Sequence, residues 1–153
     1  MNLIARLFAR KSNEKLISFE IQNSFSSFKG SLYSNSSFRA AIDAISRHVG
    51  KLTGYSSDLT ISNLLQHAPN NYITAYDLLY KTATAYFTQN NAFILLQRNG
   101  GGIEALYPLM PSSVEFVGGT DGALYIKMLF PDGKQVTLPY ADVVHLRRHF
   151  SNN

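Results

Sequence analysis

Hydrophobic positions change their spacing once along this sequence, after Asn90. Before that point apolar residues recur three and four positions apart, which is the spacing of one helix face. After it they alternate with polar residues, as in strands that bury one face. Helices followed by strands, without strand–helix alternation or internal repeats, predict an α+β fold with N-terminal helices and a mostly antiparallel β-meander sheet.

The first helix is expected to follow a Ser-rich stretch. Ser36 is a suitable N-cap, and Gly50 is a suitable terminator. The predicted buried face consists of apolar residues at helical spacing, namely Phe38, Ala41, Ile42, Ile45 and Val49. A second, short helix is predicted over residues 60–67.

A longer third helix is predicted after the helix break at Pro69-Asn70-Asn71. Thr74 is the expected N-cap, and Asp77 follows at the third helical position, where a carboxylate favours the helix dipole. The predicted buried face is Ala75, Leu79, Thr82, Ala83, Tyr86 and Phe87.

Six strands are predicted in the second half of the sequence. They cover 92–96, 103–109, 114–117, 124–130, 135–138 and 143–147. The first is a continuous apolar run, typical of a central strand buried on both faces. Glycine-rich or Pro-Asp-Gly turns separate several of them, and Pro108 and Pro111 are expected to end the second strand.

Two regions are distinguished by composition. Residues 1–35 form a basic, Ser/Asn-rich N-terminal arm, and residues 36–153 form the folded domain. Within the arm, residues 1–10 place Leu3, Ile4, Leu7 and Phe8 on one helical face. This amphipathic segment either docks on a neighbouring protein or contacts a membrane surface, and docking is preferred because three turns make a marginal isolated helix.

Composition supports a packed core and excludes some chemistry. The protein has 153 residues, of which 45% are hydrophobic, and it contains no cysteine. Disulfides, thiolate metal sites and a cysteine nucleophile are therefore excluded. The absence of an apolar run of about 20 residues argues against a membrane-spanning helix.

Positive charge is concentrated near the two ends of the sequence. The formal net charge is +4, with a sequence pI of about 9.4. The candidate contacts for anionic partners are Arg6, Arg10, Lys11, Arg147 and Arg148. A net charge of this size does not by itself identify a nucleic-acid-binding protein, and adjacent arginines on a strand are also typical of a solvated edge.

The sequence offers no convincing catalytic, cofactor or metal site. Gly100-Gly101-Gly102 lies between two predicted strands, so no helix N-terminus follows to hold a phosphate. His145 and His149 have the spacing of helical metal ligands, but a strand is predicted there and no carboxylate lies nearby. The acidic residues fall on exposed or capping positions: Asp43, Asp77, Glu104, Glu115 and Asp142. An alternative is that Tyr107, Tyr125 and Lys127 form a base-stacking platform.

Several segments, in order, resemble the Hong Kong 97-like branch of tailed-bacteriophage portal proteins. The short basic start at residues 6–11 and the helix at 38–52 are similar to that family. More specific are Leu64-Leu65-Gln66-His67-Ala68-Pro69-Asn70 and Tyr72-Ile73-Thr74-Ala75-Tyr76-Asp77-Leu78. Asn91-Ala92-Phe93 matches the family's Gly-Asn-Ala-aromatic pattern, with Asn90 in place of glycine. Asparagine is the next-best residue for a left-handed helix end, so the third helix is expected to end there. The series ends with Leu106-Tyr107-Pro108-Leu109-Met110-Pro111-Ser112-Ser113-Val114 and Asp142-Val143-Val144-His145-Leu146-Arg147.

The resemblance implies structural, non-catalytic roles for the motif residues. These are Pro69, Asn70, Thr74, Asn91, Ala92, Pro108, Pro111, His145 and Arg147. Family members continue beyond the segment that the last motif resembles, so the sequence is expected to correspond to the front, wing-like part of a portal protein. No channel residue can be assigned within it.

The implied function is that of a subunit in a ring, usually dodecameric, at one capsid vertex. DNA passes through the ring during packaging and ejection. The implied partners are further copies of the protein, the major capsid or scaffold protein, the terminase, the head-tail connectors and double-stranded DNA, without cofactor or membrane. Assembly is expected in the bacterial cytoplasm and final residence in the virion. The alternative is a free-standing module that binds nucleic acid or membrane through its basic ends.

Overall fold

The computed structural model describes Phe25–Ser26 and residues 35–148, and these residues form an α+β fold. The helices are α1 (Ser36–Gly50), α2 (Leu59–Gln66) and α3 (Ala75–Gln89). The strands are β1 (Phe25–Ser26), β2 (Asn91–Asn99), β3 (Gly102–Leu109), β4 (Ser113–Gly118), β5 (Leu124–Leu129), β6 (Gln135–Pro139) and β7 (Val143–Arg147). All strand pairings between them are antiparallel, so the predicted fold class is confirmed. The amphipathic segment 1–10 lies outside the described residues.

Asn35, and not Ser36, is the N-cap of α1. Asn35 has an extended backbone, and its side-chain oxygen accepts hydrogen bonds from the backbone N–H groups of Ser37 and Phe38 at 3.0 and 3.3 Å. Ser36 is already the first helical residue. The prediction was wrong by one position because both residue types cap helices well, and the sequence does not show which one has the extended backbone.

The buried face of α1 also differs from the predicted face. Ile42, Ser46 and Gly50 are buried, whereas Ala41 is exposed and Ile45 is 41% exposed. α1 packs along α3, and the small residues Ser46 and Gly50 allow the two helices to approach closely. A hydrophobic pattern could not reveal this, because the contact face contains a serine and a glycine where apolar side chains were expected.

The ends of α3 are formed as the sequence predicts. Thr74 and Asp77 make a reciprocal capping box, in which the Asp77 N–H donates to the Thr74 hydroxyl at 3.3 Å and the Thr74 N–H donates to the Asp77 carboxylate at 3.0 Å. At the other end Asn90 adopts a left-handed conformation with φ of 55°. This is the backbone geometry that glycine or asparagine provides after a helix.

The buried residues of α3 match the prediction only in part. Ala75, Thr82 and Ala83 are buried, but the fully buried large side chain is that of Leu78, and Ala85 is buried as well. Leu79, Tyr86 and Phe87 are only half-buried. α3 contacts both α1 and β2, so its buried surface is wider than a single stripe.

The structure divides into two compact units. One contains Phe25–Ser26 and Pro111–Ala141, and the other contains residues 35–110 and 142–148. The first unit holds a four-stranded sheet in the order β1-β4-β5-β6. Alternate residues of β5, Ile126 and Met128, are fully buried on one face of this sheet. Gly122 and Gly133 have positive φ in its two hairpin turns.

The second unit holds the three helices and a three-stranded sheet in the order β3-β2-β7. β2 is central, as predicted from its apolar run, with Ala92, Phe93 and Leu95 buried. β7 pairs with β2, from Leu95↔Val143 to Asn91↔Arg147, although β6 precedes it in sequence. Pro108 lies inside β3 opposite Ile94, so its prediction as a strand terminator was wrong. β3 is an edge strand, where a residue without N–H is tolerated.

Candidate functional site

The loop between α2 and α3 covers the outer edge of β3. The backbone N–H of Leu106 donates to the Pro69 carbonyl at 2.7 Å. The carbonyl of the same Leu106 accepts from the side-chain Nδ2 of Asn70 at 2.7 Å. Both backbone groups of Leu106 therefore point away from β2, and they are satisfied by the Pro69-Asn70 pair as they would be by a neighbouring strand.

Asn70 is itself held in position by the loop. It is buried, and its Oδ1 accepts from the backbone N–H of Tyr72 at 2.8 Å. Two residues beyond Leu106, Pro108 occupies the next outward-facing backbone position of β3 and has no N–H to offer. Pro69, Asn70 and Pro108 together close this sheet edge against pairing with another strand.

A second cluster joins β2 to β7. The His145 ring stacks on Phe93 with centroids 4.3 Å apart, and its Nε2 lies 2.8 Å from Oδ1 of Asn91. The Asn91 Nδ2 donates to the Gln89 carbonyl at 3.2 Å, which leaves its oxygen facing the ring. Nε2 of His145 therefore carries the proton and donates to Asn91.

The environment of His145 favours the neutral imidazole. Burial lowers the pKa of His145 to about 4, and the positive charge of Arg147 adds to this effect. A neutral histidine can ligate a metal, but His149 lies outside the described residues. Among the residues that the structure describes, no group of three or more histidine, aspartate or glutamate side chains is placed to hold a metal ion. The contacts of His145 with Phe93 and Asn91 join strand β7 to strand β2.

Arg148 and Arg147 follow directly on this cluster. The Arg148 backbone N–H donates to the Asn90 carbonyl at 3.0 Å, and its guanidinium lies 5.5 Å from the centre of the Phe87 ring. Arg147 pairs with Asn91 across β7 and β2 and is exposed. The other predicted basic contacts, Arg6, Arg10 and Lys11, lie outside the described residues.

The acidic residues considered for catalysis are engaged in structural contacts. Asp43 contacts Arg47 and the Tyr80 hydroxyl, Asp142 pairs with Arg98 at 2.8 Å, and Glu115 pairs with Lys127 at 3.1 Å. Glu104 accepts from Gln97. Hydrogen bonds from the backbone and the hydroxyl of Thr74 lower the pKa of Asp77, as expected for a capping carboxylate.

The three residues proposed as a base-stacking platform are divided between the two units. Tyr125 and Lys127 are on β5 of the four-stranded sheet, where the Tyr125 hydroxyl contacts Asp121 at 3.3 Å. Tyr107 is on β3 of the other unit. Burial raises the pKa of Tyr107, with smaller contributions from Tyr72 and Glu104.

Sequence reasoning identified several of these residues but missed their partners. Nothing in the neighbouring sequence indicates three of these contacts. They are the acceptance of the Asn70 hydrogen bond by Leu106, the pairing of Asn91 with His145, and the position of Phe87 beneath Arg148. Each pairing joins residues distant in sequence. Only the Thr74–Asp77 box has a spacing that predicts the contact itself.

The distinctive side chains of this structure have architectural roles, because they cap helices, close a sheet edge and join strands. A family model described as "Phage portal protein" matches residues 36–153. The chain therefore belongs to the phage portal protein family, a family of structural proteins that act in DNA packaging at the capsid vertex of bacteriophages. No curated protein matches the sequence. Among the described residues, no helix has both the length and the apolar character needed to cross a membrane.

Proposed function

We propose that this protein is the front, wing-like part of a portal subunit of the Hong Kong 97-like branch. Copies of it form a ring, dodecameric in the complete protein, at one vertex of a tailed-phage capsid. Double-stranded DNA passes through that ring, and the terminase and head-tail connectors attach to parts of the subunit beyond this wing. The family match over residues 36–153 carries the proposal.

The motif residues act in this proposal as determinants of subunit shape. Pro69, Asn70 and Pro108 close the outer edge of β3, so a neighbouring subunit does not add a strand at this edge. Thr74 fixes the start of α3. Asn91 and His145 join β2 to β7.

The remaining motif residues have packing roles. Ala92 and Pro111 are buried, each in one of the two units. A residue larger than alanine at position 92 would have to displace its neighbours. Arg147 extends the β2–β7 pairing to its end opposite Asn91.

The basic residues bind anionic partners in this proposal. Arg6, Arg10, Lys11, Arg147 and Arg148 contact DNA phosphates or acidic surfaces of the capsid or scaffold protein without reading base sequence. The part of the 1–35 arm that precedes β1 orders against a neighbouring subunit, whereas β1 itself pairs with β4 of the same chain. This arm is attached to the domain of residues 36–153.

Immunogold electron microscopy tests the proposed location. An antibody raised against the exposed turn that contains Thr120, Asp121 and Gly122 is applied to virions and to tailless capsids of the phage that encodes this protein. Label at one vertex per particle is expected, and it should be accessible once the tail is absent. Label spread over the capsid, or present only on the tail tube, would contradict the proposal.

The arm is tested by deletion. Residues 1–24, which precede both β1 and the Asn35 cap of α1, are removed from the complete coding frame, and particles are examined by negative-stain microscopy and analytical ultracentrifugation. Loss of closed rings with retention of a folded subunit is expected. Rings that form unchanged would remove the proposed role of the arm while leaving the vertex location intact.

A further inference from the structure

The turn between β2 and β3 contains a chemically reactive sequence. Asn99 is followed by Gly100, and this is the one Asn-Gly pair in the 153 residues. Both residues are exposed, together with Gly101 and Gly102. Gly100 and Gly101 have positive φ values of 59° and 96°, and the space that a Cβ atom would occupy at either position is open. Glycine adopts this conformation readily, and because it has no side chain, it leaves its own backbone nitrogen open to approach by the Asn99 side chain.

The side-chain amide of Asn99 is not restrained by other residues. Among the described residues, no hydrogen bond restrains it, in contrast to the buried Asn70 and to Asn91, whose side chains bond backbone or ring atoms. The two Asp-Gly turns are also restrained. The Asp121 carboxylate accepts from the Ala123 N–H at 2.9 Å, and the Asp132 carboxylate accepts from the Lys134 N–H at 3.2 Å.

We propose that Asn99 is a site of spontaneous covalent modification, at which the folded protein deamidates through a succinimide. The Gly100 nitrogen loses its proton and bonds to Cγ of Asn99, and the bond between Cγ and Nδ2 breaks to release ammonia. Water then adds to either carbonyl of the five-membered ring. One opening gives aspartate, and the other gives isoaspartate, in which the backbone runs through the former side-chain carbons. No oxidant, metal or enzyme is required.

The hairpin controls how fast this reaction proceeds. Asn99 pairs with Gly102 and Arg98 pairs with Ile103, and the register shifts between Gln97 and Arg98. An extended Asn99 must leave its pairing before Cγ can reach the Gly100 nitrogen, so opening of the hairpin tip precedes ring closure. The register shift separates the last two pairs, Arg98↔Ile103 and Asn99↔Gly102, from the rest of the ladder, so this opening involves only the tip of the hairpin.

Deamidation changes both charge and geometry at this position. The net charge falls from +4 to +3, because one neutral amide becomes a carboxylate. The new carboxylate stands beside Arg98, which already pairs with Asp142 at 2.8 Å. An isoaspartate also lengthens the backbone by one carbon, which is incompatible with the Asn99↔Gly102 pairing.

The test is peptide mapping of the folded 153-residue protein after prolonged incubation at mildly alkaline pH. Conversion at residue 99 is measured by ion-exchange separation, by the mass gain of amide-to-acid conversion, and by enzymatic methylation of isoaspartate. The exposed Asn63 and Asn71, which precede Leu64 and Tyr72, serve as internal controls in the same digest. We expect Asn99 to convert first, and to convert faster at higher pH because the attacking nitrogen must lose its proton.

Two further samples make the result decisive. Asn99→Gln should remove the acidic product, because glutamine is one carbon longer and does not close a five-membered ring, and circular dichroism should show the fold unchanged. Protein unfolded in urea should convert faster at residue 99 than folded protein. Conversion of Asn99 no faster than that of Asn63 or Asn71, or an acidic product that persists in Asn99→Gln, would overturn the proposal.

Discussion

Asn70 shows how one buried polar residue can stand in for part of a strand. Its amide donates to the Leu106 carbonyl and its oxygen accepts from the Tyr72 N–H, at 2.7 and 2.8 Å. A hydrophobic residue of similar size would leave both backbone groups without partners. Buried backbone groups that lose their hydrogen bonds destabilise a fold more than the bonds themselves stabilise it.

Replacing Asn70 with alanine is therefore expected to lower the free energy of unfolding by about 1–3 kcal/mol. Urea denaturation measures the change, and light scattering measures any aggregation that follows from the opened β3 edge. Asn71→Ala is the matched control, since Asn71 is the same residue type at an adjacent, exposed position. Equal effects of the two substitutions would show that the Asn70 contacts contribute nothing measurable.

His145 gives the fold a dependence on pH. Its pKa is lowered to about 4, compared with 6.5 for an ordinary histidine. Between these values the unfolded protein binds a proton that the folded protein does not, so the contribution of His145 should lower the stability as the pH decreases from about 6.5 to about 4 and should not change further below that. Asp77 affects stability at lower pH. Because its pKa is lowered in the folded protein, the stability that its carboxylate contributes is present above pH 3.8 and is lost as the pH falls below that value.

Urea midpoints measured across this pH range test the assignment to His145. His145→Gln removes the titrating group and keeps an amide that can reach Asn91, so most of the slope between about pH 6.5 and about pH 4 should disappear. A slope that is identical in the two proteins would assign the pH dependence to other groups.

At the level of secondary-structure elements, helix starts are set by single side chains. The α1 cap is Asn35, although Ser36 is equally suitable in sequence. Asn35→Ala is expected to lower stability by about 1 kcal/mol, because two N–H groups of the first turn lose their acceptor. Thermal unfolding followed by circular dichroism provides the measurement.

Ser36→Ala is the control for that prediction. Ser36 lies within the first turn and its neighbour already supplies the cap, and alanine has the higher helix propensity, so little loss or a small gain of stability is expected. A larger loss for Ser36→Ala than for Asn35→Ala would mean that α1 begins one residue later than the structure shows.

The packing of α1 shows why apolar periodicity located the helix but not its buried face. Phe38, Ala41 and Ile45 satisfy the periodicity, yet Ser46 is fully buried and Ile45 is exposed. The Thr84 hydroxyl of α3 donates to the Ser46 hydroxyl at 3.0 Å. A close helix contact that uses small and polar residues leaves no apolar stripe in the sequence.

For the molecule as a whole, net charge limits what kind of contact with DNA is expected. The net charge of +4 supports weak, sequence-independent binding that decreases as salt rises. Replacing both Arg147 and Arg148 with glutamine should reduce the slope of log affinity against log salt by about two, if both reach phosphates. Fluorescence anisotropy with labelled duplex DNA at several salt concentrations measures that slope.

The control for this prediction removes the same charge elsewhere. Arg39→Gln with Lys51→Gln also lowers the net charge from +4 to +2, at exposed positions in and just after α1. If the two pairs of substitutions change the slope equally, only total charge matters. A larger change for the Arg147 and Arg148 pair supports a defined contact at the end of β7.

The sequence by itself determined the features that depend on neighbouring residues. These include the change from helical to strand-like spacing, the Thr74–Asp77 box and the left-handed turn at Asn90. The central position of β2 followed from its continuous apolar run. The order of several family motifs also identified the portal family, since these motifs retain their residue types and order in the linear sequence.

The tertiary structure alone decided which distant residues meet. The Asn70–Leu106 contact joins residues 36 apart, and the Asn91–His145 contact joins residues 54 apart. Neither has a spacing that local geometry could predict, because the topology of the fold sets the separation. The same reason explains why β7 pairs with β2 and why α1 buries Ser46. Local periodicity specifies an element, but its partner is chosen by the packing of the whole core.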